Sequence, residues 1–142
     1  MDLGVGQGWD QVAHARKAAV ILLDTNAILW IQRNHRRTRR LVRVASRLYI
    51  SPASLLEIQF LVEAGRIGLR RGATVSDVAA DPRWVVDDPP AAAWFAAAID
   101  VSPTRDPFDR LIVAHAQLRR WRLATGDADV LEQLSPSARL EL

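Results

Sequence analysis

The 142-residue sequence contains no cysteine. Disulfides, thiolate metal sites and cysteine nucleophiles are therefore excluded. Histidine is scarce, and His14, His35 and His115 stand at no ligand-like spacing, which argues against a zinc site. Any metal held by this chain has to be bound by oxygen. No apolar run approaches the roughly 18 residues that span a membrane. The first residues, with Asp2 and a polar Gly/Gln/Asp/His/Arg run, lack the pattern of a signal peptide. A cytoplasmic, soluble protein with no membrane partner is expected. Lysine is nearly absent too. Apart from Lys17, arginine supplies all of the side-chain cations behind the net charge of +3. Arginine grips phosphate through a planar fork, although the codon bias of a GC-rich genome explains the excess equally well.

What is present is an ordinary globular balance, with 49% hydrophobic and 25% charged residues. The length fits one domain with a core of its own. Residues 1–17 carry Gly4, Gly6 and Gly8 with little periodicity and read as a flexible leader. The domain is expected over 18–142. Residues 18–23 form an unbroken apolar run, the signature of a strand buried on both faces. Asp24 ends the run, and 25–30 read as a helix. Arg36 to Arg47 predicts an amphipathic helix, with Leu41, Val44 and Leu48 on one face and Arg36, Arg39, Arg40, Arg43 and Arg47 on the other. Tyr49-Ile50 reads as a strand. Ser51-Pro52 opens a helix that Gly65 stops. Further helices are expected over 75–80, 90–99, 107–120 and 127–134. Strands are expected over 84–86 and 122–125, with an edge strand at the end. This alternation argues for an α/β domain with a mainly parallel sheet.

In such sheets ligands bind at the carboxyl ends of the strands. Asp24 and Asp127 both follow a strand directly. Either one alone reads equally as a helix cap, but two at equivalent strand ends point towards a site. Glu57 has Ala53, Ser54, Phe60 and Leu61 as its neighbours along the helix. Burying an unpaired carboxylate is costly, so Glu57 is expected to be paired, edge-exposed or bound to a cation. Arg105-Asp106-Pro107-Phe108-Asp109-Arg110 adds two acids. Asp106 reads as a cap or supporting residue. Asp109, one turn further in, leans back towards the same sheet edge. Carboxylates meeting at one edge repel one another unless a divalent cation neutralises them. Hard oxygen ligands select Mg²⁺ or Mn²⁺, which suits phosphodiester cleavage.

Four blocks carry a family resemblance. They are Ile21-Leu22-Leu23-Asp24-Thr25-Asn26, Ser51-Pro52-Ala53-Ser54-Leu55-Leu56-Glu57, Arg105-Asp106-Pro107-Phe108-Asp109-Arg110 and Thr125-Gly126-Asp127. In order and spacing they resemble PIN-domain proteins and, within these, the VapC-type toxins of bacterial toxin–antitoxin pairs, over about residues 18–135. The resemblance implies a three-layer α/β/α fold and a Mg²⁺-dependent endoribonuclease. It also implies an RNA substrate, a cognate antitoxin that occludes the site, and a homodimer. It carries the catalytic and metal-binding roles to Asp24, Glu57, Asp109 and Asp127, with Thr25, Asp106 and Thr125 in support. Asn26 departs from the family, many members of which have histidine there.

The arginine face, Arg36, Arg39, Arg40 and Arg43, together with Arg33, Arg66, Arg70 and Arg71, reads as a track for an RNA backbone, a partner surface or a solvated face. Two other readings fail on missing residues. A haloacid-dehalogenase-type phosphatase needs a second aspartate at position 26, and a receiver domain needs an acidic pair and a late lysine. A PIN-like module that binds RNA or a partner without cutting is the remaining alternative. Nothing in the sequence separates RNA from DNA.

Overall fold

The computed structural model describes residues 20–45, 47–102 and 104–142. The expected leader and the first two residues of the first expected strand lie outside them. Five strands build the sheet: β1 Val20–Leu23, β2 Arg47–Ile50, β3 Val85–Val86, β4 Arg122–Thr125 and β5 Arg139–Glu141. The helices are α1 Thr25–Gln32, α2 Arg39–Val44, α3 Pro52–Glu63, α4 Val75–Ala79, α5 Ala91–Ile99, α6 Pro107–Arg119 and α7 Ala128–Glu132. Short 3₁₀ turns at Arg36–Thr38 and Pro136–Ala138 complete the order.

The strand order is β3-β2-β1-β4-β5, and every pairing is parallel. β1 is central, so its Val-Ile-Leu-Leu sequence has a helical layer over each face. The pleat sends alternate residues to opposite sides. Ile21 and Leu23 join Ile28, Ile50, Ile58 and Trp84 in one core. Leu22 joins Trp94, Ile112, Val113, Leu123 and Val130 in the other. The result is three layers, with α1 to α4 on one side of the sheet and α5 to α7 on the other.

The sequence signals for caps and stops operate as expected. The Ser51 hydroxyl accepts the Ala53 N–H at 3.2 Å, with Pro52 in the first turn of α3. Gly65 closes that helix at φ +70°, a region open to glycine. The expected helix over 36–47 is corrected in two places. It begins as a 3₁₀ turn and ends at Val44, where Ala45 takes an extended ψ of 127°. Arg47 and Leu48 belong to β2 instead, paired with Val20 and Ile21. The ladder to β1 buries Leu48 and Ile50 on alternate positions, and that outweighs the helical spacing of the arginines. Leu48 is thus a core residue of the strand and not part of a helix face.

The chain leaves β1 to pair β2 on one side, and returns from β3 to place β4 on the other. The order therefore reverses between β1 and β4, which opens a crevice at their carboxyl ends. The Asp24 N–H donating to the Ala124 carbonyl at 3.1 Å ties the two strand ends together there.

Candidate metal centre

Asp24 leaves β1 with extended backbone and caps α1, accepting the Ala27 N–H at 2.7 Å. It is 8% exposed. Burial pushes its carboxyl up to about 6 against hydrogen bonds from Thr125 and Ala27, and the charges of Asp127 and Glu57 push the same way. Asp127 caps α7 after β4, accepting from Asp129 at 2.9 Å and Val130 at 3.3 Å. The cap reading and the site reading of these two aspartates are thus not exclusive. Capping is what aims both carboxylates from the strand ends.

Glu57 enters from the second turn of α3 and is half-buried. The buried Thr25 hydroxyl donates to its Oε1. Burial raises its pKa against that hydrogen bond, and the charges of Asp106 and Asp127 add to the rise. Thr125, fully buried, plays the matching part for the aspartates. Its hydroxyl bonds the Asp24 carboxylate and accepts the Asp127 N–H at 3.0 Å.

Asp109 lies in the first turn of α6. Burial pushes it up to about 7, assisted by the charges of Asp106, Glu57, Asp127 and Asp24 in that order. Asp106 does two jobs. Its Oδ1 caps α6, accepting from Phe108 at 2.8 Å and Asp109 at 3.1 Å. It also offers a carboxylate oxygen within 4.8 Å of one each from Glu57 and Asp109. From the sequence Asp106 reads only as a cap or support, because the Asp-Pro pair satisfies a cap so well. The three-residue step to Asp109, which puts both acids on one side of a helical turn, was the signal for more.

The five acids thus converge on one rim, and three of them share a trait. Asp24, Glu57 and Asp109 are raised because they are desolvated beside other carboxylates, and among the described residues none has an arginine or lysine ion pair. Such a group of hard oxygen donors fits a small divalent cation and misfits a soft one. Glu57, Asp106 and Asp109 are the residues spaced to hold it together.

The arginines are distributed differently. Arg36, Arg39, Arg40 and Arg43 are exposed on the 3₁₀ turn and α2. Arg33, Arg70 and Arg71 line a separate cavity of about 700 Å³ with Arg83. That cavity lies at the far end of α1, about 12 Å of helix from Asp24. Asn26 is exposed on the first turn of α1. Among the described residues no helix is long and apolar enough to cross a membrane.

Comparison with known proteins agrees with this architecture. No curated protein sequence matches the chain. A toxin–antitoxin complex from Klebsiella pneumoniae superposes with a TM-score of 0.59 at 17% identity, over 86% of this chain and 99% of that one. VapBC2 from Rickettsia felis, bound to a DNA fragment from their promoter, gives 0.54 at 16% identity, over 86% and 97%. FitAcB from Neisseria gonorrhoeae gives 0.53 at 20% identity, over 80% and 91%. At these identities the likeness is one of fold. The family is given by sequence: the PIN domain matches residues 21–135, and the chain belongs to the PIN-domain family.

Proposed function

We propose that this protein is a VapC-type toxin, a Mg²⁺-dependent endoribonuclease that hydrolyses RNA phosphodiesters at the acidic rim. The observation that carries the reading is the meeting of Glu57, Asp106 and Asp109 within 4.8 Å, beside a desolvated Asp24 and, among the described residues, with no arginine or lysine ion pair to any of them. Glu57, Asp109, Asp24 and Asp127 hold the metal, and Asp106 supplies a further oxygen. Mg²⁺, or Mn²⁺, would there lower the pKa of a water and offset charge on the phosphate. The chain's own groups do the positioning. Thr25 fixes the Glu57 carboxylate, and Thr125 links Asp24 to the turn that carries Asp127. The helix caps on Asp24, Asp106 and Asp127 hold three carboxylates on rigid elements, so little ordering is left to be done when substrate arrives.

A cognate antitoxin covers the rim in the resting cell, a reading supported by the fold shared with toxin–antitoxin complexes. Leu56, Phe60, Phe95 and Ile99 are exposed and provide apolar surface for that partner and for a second copy. Trp94, beside Phe95 on the same helix, is core, its indole N–H donating to the Leu111 carbonyl at 2.7 Å. The protein acts in the cytoplasm, where its RNA lies.

The test is cleavage of a mixed RNA pool by purified, antitoxin-free protein in Mg²⁺ and in EDTA. Cutting is expected in Mg²⁺ alone, with Asp24→Asn and Asp109→Asn each reducing it by roughly a hundredfold or more. Undiminished cutting by Asp109→Asn would give its place to Asp106. Failure of the wild type to cut, while still binding RNA, would make the protein a binding module.

A further inference from the structure

The arginine periodicity of residues 36–47 does not single out Arg37, yet the structure brings this residue to the rim. Asn34 adopts φ +53°, which reverses the chain after α1. The turn that follows is pinned at several points. The His35 N–H donates to the Trp30 carbonyl at 2.8 Å, and His35 Nδ1 accepts the Arg37 N–H at 3.1 Å. The N–H and hydroxyl of buried Thr38 both donate to the His35 carbonyl, at 3.0 and 2.8 Å. The backbone under Arg37 is therefore fixed.

Its side chain is fixed as well. The guanidinium carbon lies 5.0 Å from the centre of the Trp30 ring, which also stacks against His35 at 5.5 Å. The edge of that indole rests on Gly126. A Cβ there would meet Trp30 Cη2 at 2.8 Å, and would lie 3.7 Å from Arg37 Nη1. Gly126 immediately precedes Asp127, so the guanidinium stands beside the turn that carries an acid of the rim. The side chain is exposed. Among the described residues it makes no ion pair, and its guanidinium donates no hydrogen bond. Arg83, Arg110, Arg119 and Arg139, by contrast, spend their donors on carboxylates or backbone carbonyls.

We infer that Arg37 is a substrate-binding residue, gripping a phosphate of the RNA strand next to the bond held at the acidic rim, with Trp30 and Gly126 as positioning residues. The inference rests on the nuclease reading above. A rim of carboxylates repels a polyanion, and a preordered, unspent guanidinium beside it supplies both the attraction and a bidentate fork for phosphate oxygens. Stacking on the indole keeps the fork in place without consuming its N–H groups. The glycine at 126 is explained by the same arrangement, since any side chain there would lift Trp30 off its seat.

Binding and cleavage separate this inference from the reading beneath it. The probe is a short fluorescent single-stranded RNA with 2′-O-methyl riboses, titrated by anisotropy over a range of salt, with Ca²⁺ in place of Mg²⁺. Arg37→Ala is expected to weaken binding about tenfold, and to lower the slope of log affinity against log salt by about 0.7, the share of one phosphate contact on a single strand. Trp30→Leu and Arg37→Lys keep the charge but lose the stacked fork. They are expected to weaken binding while leaving the slope unchanged. Arg37→Ala with wild-type affinity and slope overturns the inference, as does a wild-type protein that binds no RNA. A wild type that binds the probe but cuts no RNA in Mg²⁺ overturns the nuclease reading alone, and the Arg37 comparison still stands or falls on binding.

Discussion

One helix carries two opposite treatments of buried charge. At the start of α6, Asp109 sits among acids and is pushed up to about 7. Near its end, His115 and Arg119 surround Asp87. Burial pushes Asp87 up as well, but Arg119 and His115 outweigh it and hold its carboxyl below the ordinary range. His115 Nε2 lies 2.7 Å and Arg119 Nε 2.8 Å from one Asp87 oxygen. The ring of His115 is fully buried against Trp94 and Trp121, and burial lowers its pKa, so the neutral imidazole donates to the carboxylate. The two regions differ in what neutralises them. A carboxylate that serves the fold comes with its counter-charge built in. Among the described residues the acids of the rim have no such ion pair, and they stand at the sheet edge where a ligand can supply the charge. A raised carboxylate therefore points to the proposed site only because three acids at once lack an ion-pair partner among the described residues.

The sharpest way to break this comparison is to neutralise one acid from each region and measure urea unfolding in EDTA. Asp87→Asn is expected to cost about 2 kcal/mol, because it strands Arg119 and weakens the bond to buried His115. The partial exposure of Arg119 keeps the figure below that of a fully buried pair. RNA cleavage per folded molecule should be unchanged. Asp109→Asn should do the reverse, holding or raising metal-free stability while cleavage falls. Equal destabilisation by the two variants would mean that Asp109 has a structural partner and is no uncompensated ligand.

A smaller effect follows from pH. Asp24 and Asp109 have folded pKa values of about 6 and about 7, above the ordinary 3.8. Between those values the folded state holds more protons than the unfolded chain. Stability from this source is complete below about 3.8 and is lost as pH rises through 6 and 7. His115 acts in the opposite sense, since its lowered pKa favours the folded state at higher pH. The difference between wild type and Asp109→Asn removes that contribution. Between pH 5 and 8 in EDTA, the wild-type Tm should fall by on the order of 5 °C more than that of the variant. Mg²⁺ should restore most of the loss at pH 8 and little at pH 5, because it binds the charged carboxylates. Parallel pH profiles for the two proteins would remove the electrostatic strain from the rim.

The sequence spoke clearly where local and global signals agreed. The apolar run before Asp24, the Ser51-Pro52 start and Gly65 stop of α3, and the Asp106-Pro107 start of α6 each specify one conformation, and each is present. Asp24 and Asp127 follow strands directly and Asp109 lies in a first helical turn, whereas Glu57, in the second turn of α3, is marked by its apolar neighbours along the helix. The failures lie where tertiary pairing decides. Arg47 and Leu48 fit a helical period, but the ladder to β1 claims them. Arg37 is one of several similar arginines until the fold sets Trp30 between it and Gly126. The contacts of Asp87 with His115 and Arg119 join residues 28 and 32 positions apart, which no local pattern announces.

Asp106 offers the finest test of the comparison, because it stands between the two treatments. One of its oxygens caps α6, a structural role, and it is also spaced with Glu57 and Asp109 for a cation. Asparagine caps a helix about as well as aspartate, so Asp106→Asn removes the charge and keeps the cap. The expected cost in metal-free stability is below about 0.5 kcal/mol, and it is offset by relief of repulsion on Asp109, whose raised pKa has the Asp106 charge as its largest electrostatic cause. Mg²⁺ affinity, read as the Mg²⁺-induced rise in Tm, should fall several-fold, and Asp109 should titrate lower by carboxyl-carbon NMR. Asp106→Ala loses cap and charge together and should cost about 1 kcal/mol more. If Asp106→Asn left Mg²⁺ affinity intact while still lowering the Asp109 titration, Asp106 would belong with the caps. Three carboxylates would then be enough to explain why Asp109 lacks a partner of its own: Glu57, Asp24 and Asp127 would share the cation with it.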